Sequence, residues 1–104
     1  MSVLMSLAMF PTDKIGSKSK EVSEILNIIK NSGYKYQLTS MNTIVEAKTL
    51  QELLELLNKC YLRLEELGCN RVYISVNFDA RSSGENRINS KVKSVEEHIG
   101  DVSK

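Results

Sequence analysis

Tryptophan is absent from this chain, and histidine and proline each occur once. Four tyrosines and two phenylalanines are the remaining aromatic side chains. So few rings make a base-stacking platform a poor reading. A net charge of +1 removes the basic excess that a nucleic-acid or polyanion binder would show. The lone histidine, His98, falls near the end of a predicted helix, where its charged form is favoured. It cannot build a multi-histidine metal centre, and no Ser-His-Asp set or phosphate-cradling glycine loop can be assembled around it. Cys60 and Cys69 do not form a Cys-x-x-Cys pair and are read as buried free thiols of a reducing cytosol. No segment reaches the ~18 apolar residues of a membrane span. Met1 to Phe10 is apolar but lacks a basic start, and Pro11-Thr12-Asp13 follows it in place of a small-residue cleavage site. It is read as a first strand.

What is present is periodic. At 104 residues the chain is expected to form one domain over 1–104. Strand one runs from Ser2 to Phe10, with Val3, Met5, Leu7 and Met9 on one face. A loop spans Pro11 to Gly16. Val22, Ile25, Leu26 and Ile29 keep helical spacing over about Ser19–Asn31, and Gly33 is a natural terminator. Tyr34–Met41 and Thr43–Ala47 read as two strands joined by a tight turn near Asn42. Thr49 and Glu52 form a capping box. Behind it Leu50, Leu53, Leu54, Leu57, Cys60, Tyr61, Leu64 and Leu67 predict a long helix closed by Gly68. Residues 71–79 read as the fourth strand, and 81–90 as a polar, mobile loop. A last helix, about Ser90–Ile99, carries Ile88, Val92, Val95 and Ile99 on its apolar strip. Gly100 to Lys104 is expected to fray.

The order strand, helix, strand, strand, helix, strand predicts an α+β, ferredoxin-like βαββαβ fold. Its four-stranded antiparallel sheet carries both main helices on one face, and a C-terminal helix is added. The second sheet face is left open, and self-association through sheets is the expected cover.

The stretch Arg71 to Arg81 alternates strictly. Val72, Ile74, Val76, Phe78 and Ala80 form the expected core face; Tyr73, Ser75, Asn77 and Asp79 lie opposite. Charged residues are depleted within strands, so Glu46 and Asp79 stand out. Each is either an exposed or salt-bridged strand carboxylate, with Arg71 or Arg81 as partner, or a carboxylate facing a ligand. Thr43 is either a β-branched strand former or a hydroxyl at the same end.

Several short runs then resemble one family: Pro11 followed by Ile15-Gly16; Ser32-Gly33 with Tyr36; Met41-Asn42-Thr43-Ile44-Val45-Glu46; Arg71-Val72; Asp79-x-Arg81; and Lys91-Val92-x-x-Val95-Glu96. In order and spacing they resemble the small thiamine-binding-protein family, related to YkoF. The resemblance implies ferredoxin-like subunits that form dimers or tetramers through their sheets. It implies no catalytic activity and no cofactor, and a cytoplasmic homo-oligomer that binds thiamine or its hydroxymethylpyrimidine moiety. The family's Gly-Thr-x-x-Glu element falls on Asn42-Thr43-Ile44-Val45-Glu46, with Asn in place of Gly. Tyr61 stands near the place of a family histidine.

The expected ligand-binding residues are therefore Thr43, Glu46, Asn77 and Asp79, with Phe10, Tyr36 and Leu38 as candidates to pack on a flat ring. No metal, nucleic acid or membrane partner is expected. A second reading is a ferredoxin-like regulatory or structural module without a small ligand. A third, an acylphosphatase-like enzyme, lacks the glycine-rich anion loop before the first helix.

Overall fold

A computed structural model describes residues 1–13, 16, 18–84 and 87–103. Its elements follow the predicted order: β1 (Ser2–Pro11), α1 (Ser19–Asn31), β2 (Lys35–Leu38), β3 (Thr43–Ala47), α2 (Leu50–Glu66), β4 (Val72–Arg81) and α3 (Arg87–Ile99). The strands form one antiparallel sheet in the order β2-β3-β1-β4. This is the ferredoxin-like α+β arrangement with an added C-terminal helix.

β1 sits in the centre and sets the register. Met5 lies opposite Val45 on β3 and Phe78 on β4; Leu4 lies opposite Glu46 and Asp79. Opposed residues share a face, so the odd-numbered residues of β1 look one way and the even-numbered ones the other. Val3, Met5, Leu7 and Met9 are buried beneath α1 and α2, with Val45, Ala47, Ile25, Ile29, Leu53, Leu56, Cys60 and Leu64.

Local chemistry places the boundaries. Ser32 Oγ donates to the Ile29 carbonyl at 2.6 Å, and Gly33 at φ 86° turns the chain out of α1. Thr49 Oγ1 accepts the Glu52 amide while Glu52 Oε1 accepts the Thr49 amide, both at 3.2 Å, completing the predicted capping box. β2 is shorter than the predicted 34–41. Thr39 Oγ1 accepts the amides of Met41 and Asn42 at 3.2 and 3.1 Å and commits that segment to the turn.

Three expectations need correction. Leu50 and Leu54 are exposed, and Leu56 takes the buried place on α2. The apolar face of β4 is not a full core face: Val72 and Val76 are half-buried, while Ile74 and Phe78 are 39% and 36% exposed. β4 is an edge strand, with a neighbour on one side only. Third, the second sheet face is not left open. α3 packs on it against β1 and β3, starting at Arg87 rather than Ser90. That shortens the predicted 81–90 loop, of which Glu85 and Asn86 lie outside the described residues. Lys14 and Ile15 of the first predicted loop, and Lys104 of the tail, lie outside them too.

Candidate functional site

The even-numbered face of β1 brings Ser2, Leu4 and Ser6 beside Glu46 and Ile44 on one flank and Asp79 and Asn77 on the other. α3 is fastened to this face by a polar clasp. Glu46 Oε2 accepts the Arg87 amide at 2.9 Å and the Ser2 hydroxyl at 2.7 Å; Glu46 Oε1 accepts the Ile88 amide at 3.2 Å. A carboxylate from β3 thus satisfies the first amides of a helix 41 residues further on, where an anion is favoured. Burial alone would push the Glu46 carboxyl up. Hydrogen bonds from Arg87, Ser2 and Ile88, together with the Lys35 charge, outweigh it and hold the group below its usual range.

Arg87 completes the clasp. Its side chain is buried, and Nη2 meets Asp79 Oδ2 at 2.9 Å. The guanidinium also donates to the Asp79 carbonyl at 3.0 and 3.2 Å and to the Ser2 carbonyl at 3.5 Å. Among the described residues, every buried side-chain polar atom has a partner.

Beyond the clasp α3 roofs a groove of about 510 Å³. Leu4 and Ile44 lie in its floor, Ile88, Val92 and Val95 in its roof, and Ser6, Gln37, Asn77 and Asp79 supply polar groups. This volume and lining suit a small flat ligand. The polar end near the turn is ordered: Asn42 Nδ2 donates to Ser6 Oγ at 2.6 Å, and Thr39 Oγ1 donates to Asn42 Oδ1 at 2.7 Å. Val102 also lines the groove, and its amide donates to Glu96 at 3.2 Å, so this part of the predicted fraying tail is tied back. A wider opening of about 960 Å³ lies on the β2 side of α3, between Tyr34, Tyr36 and Lys35 and the helix residues Asn89, Lys93 and Glu96.

The four expected ligand residues therefore do not converge. Asn77 and Asp79 line the groove together. Glu46 lies on the same face, with both oxygens occupied by the clasp. Thr43 is buried on the opposite face, opposite Leu7, and borders a separate cleft of about 270 Å³ with Leu38 and Met41. Of the carboxylates expected to meet Arg71 or Arg81, Asp79 pairs with Arg87 instead. Phe10 stacks on Tyr73 with ring centroids 5.3 Å apart. Arg87, Ser2 and Ser6 were not anticipated. Ser6 alone had a signal, as a polar side chain in an apolar strand on the face shared with Asn77.

Cys60 and Cys69 are buried free thiols, and burial pushes Cys60 up to about 11. His98 lies in the last turn of α3 and is exposed. Among the described residues no group of three or more metal-ligating side chains is gathered, and no helix is long and apolar enough to cross a membrane.

Comparison with known proteins agrees with this architecture. A UPF0045 protein of Methanothermobacter thermautotrophicus is 30% identical over 83 residues, which cover 80% of this chain and 84% of that protein. The crystal structure of a hypothetical protein from Methanocaldococcus jannascii superposes with a TM-score of 0.81 at 27% identity, covering 92% of this chain and 97% of that one. A candidate thiamine biosynthesis/salvage protein from Thermotoga maritima shares the fold, with a TM-score of 0.79 at 22% identity, covering 91% and 99% of the two chains. The family model described as thiamine-binding protein matches residues 5–96. That match runs from β1 into the last turns of α3 and takes in both sides of the groove, and on it this chain belongs to the thiamine-binding protein family.

Proposed function

We propose that the chain is a non-enzymatic cytoplasmic binding protein for thiamine or a related hydroxymethylpyrimidine compound, acting as a homo-oligomer. The observation that carries this reading is the groove under α3, with an apolar floor and roof and a few convergent polar groups. An aminopyrimidine ring has two flat faces to bury and an edge that both donates and accepts. Leu4, Ile44, Val92 and Val95 can cover the faces. The amides of Asn77 on β4 and of Gln37 on β2, on opposite flanks of the groove, each offer a donor and an acceptor. Asp79, two residues on from Asn77 along β4, adds a negative group on that flank, shared with Arg87.

Glu46 serves the site by holding its roof, and Thr43 by packing the far face of the same strand. Family membership supports a small-molecule ligand, and the name of the T. maritima protein points the same way. Oligomerisation is supported by apolar surface left uncovered on β4. Tyr73 is 54% exposed beside Phe10 on the α3 side of the sheet, and Ile74 and Phe78 are part-exposed at the edge of the opposite face.

Thermal melting and titration calorimetry with thiamine and with hydroxymethylpyrimidine test the proposal. A ligand that binds only the native state adds about 2.7 kcal/mol of stability at ~100 times its dissociation constant. If neither compound shifts the melt while the chain still self-associates, the reading is replaced by that of an interaction module.

A further inference from the structure

The groove continues, at its β4 end, into a second cavity of about 360 Å³ of different character. The two share Leu4, Asp79, Arg87 and Lys91. Arg87, Ser90, Lys91 and Ser94 reach the cavity from one side of α3, at the i, i+3, i+4, i+7 spacing that aligns side chains along a helix. Arg81 faces them from the end of β4. Three cations therefore meet one carboxylate. Arg87 and Asp79 are bonded to each other and cancel. Among the described residues Arg81 and Lys91 form no ion pair, so two positive charges and two hydroxyl groups are left facing the cavity.

Resting on the groove reading above, we infer that this basic arm receives a phosphate monoester, so that the ligand taken in preference is the phosphorylated form of the ring compound in the groove. A monoester carries about −1.5 to −2 charge at neutral pH and three acceptor oxygens. That matches two unpaired cations with serine hydroxyls between them. A bare thiazolium cation in the same place would meet like charge. The groove takes the flat ring, which has no charge for the arm to recognise, and the arm takes the ester.

Titration calorimetry on the full chain, comparing thiamine with thiamine monophosphate and hydroxymethylpyrimidine with its phosphate, tests this. The expected result is an ester preference of about tenfold or more at low salt, equivalent to roughly 1.4 kcal/mol. It shrinks as sodium chloride is raised. In the double variant Arg81→Gln, Lys91→Gln, both changes being on exposed side chains, ester and alcohol bind with like affinity. Inorganic phosphate competes with the ester and not with the alcohol. Alcohol and ester binding equally well to the native chain would overturn the inference and leave the groove reading standing. A preference that survives in the double variant would also overturn it, since the phosphate then lies elsewhere. Binding of neither form overturns the groove reading and this inference with it.

Discussion

The Arg87 amide donates to Glu46 Oε2 at 2.9 Å, while the Arg87 guanidinium meets the Asp79 carboxylate at 2.9 Å. The first residue of α3 is thus tied through its main chain to β3 and through its side chain to β4. Those two strands flank β1, whose Ser2 contributes a hydroxyl to Glu46 and a carbonyl to Arg87. One end of the helix is fixed across three strands, at one end of the groove it roofs.

Replacing Glu46 by Gln keeps the shape but removes the charge that both amides and the Ser2 hydroxyl address. The expected loss is about 1.5–3 kcal/mol, the range for hydrogen bonds to a charged group. It falls on α3 first. Hydrogen exchange should rise at Ile88 through Val92 with little change in α2. Unchanged protection along α3 would contradict the role given to Glu46.

The same carboxylate sets a pH dependence. Its folded-state pKa lies below the usual 4.5, so its contribution is full above about pH 4.5 and is lost as pH falls through the lowered value. The groups facing it are the Ser2 hydroxyl, the Arg87 and Ile88 amides and the Lys35 ammonium. Protection factors along α3, that is, exchange rates corrected for the intrinsic pH dependence of exchange, should fall at the acid end between pH 7 and pH 3 in the native chain. In the Glu46→Gln variant this fall should be smaller, the Asp79 carboxylate still holding Arg87.

Two leucines on α2 distinguish core from surface. Leu53 is fully buried and Leu54 is 41% exposed. Leu53→Ala should cost about 2–5 kcal/mol by removing packed methyl groups and leaving a cavity. Leu54→Ala should cost under about 1 kcal/mol. Urea midpoints at constant slope give both numbers, and near-equal losses would mean the α2 stripe is oriented differently.

The Cys60 thiol, pushed up to about 11 and enclosed in the core, should not react with an alkylating reagent at pH 8 in the folded chain. It should react at an ordinary rate in denaturant. Mass spectrometry of the alkylated peptide reads both states.

Much of this architecture was legible in the sequence because short-range chemistry dictates it. The capping box at Thr49 and Glu52, the glycine after α1 and the period-two pattern of β1 each act within a few residues. The stripe on α2 was blurred because leucines surround the helix. At 100° per residue Leu54 points about 100° away from Leu53 and about 120° from Cys60, whereas Leu56 lies about 60° and 40° from them. The opposite placement of Thr43 and Glu46 was also legible, since three steps along a strand reverse the face. Glu46 and Asp79 stood out as strand carboxylates, but their partner did not. An arginine is ordinarily exposed, and nothing near Arg87 in the sequence announces that it is buried between two strands. Bonds spanning 41 and 85 residues belong to the tertiary arrangement alone.

β1 is covered on one side by α1 and α2 and in part by α3 on the other, and each of its ten residues is buried or half-buried. Sequence drift therefore has little room there. In a saturation mutagenesis library, neighbouring positions of β1 should be depleted alike at both parities. β4, with mostly exposed side chains, should accept changes at most of its positions. The central strand, rather than the polar residues of the groove, should be the most restricted segment of the whole chain.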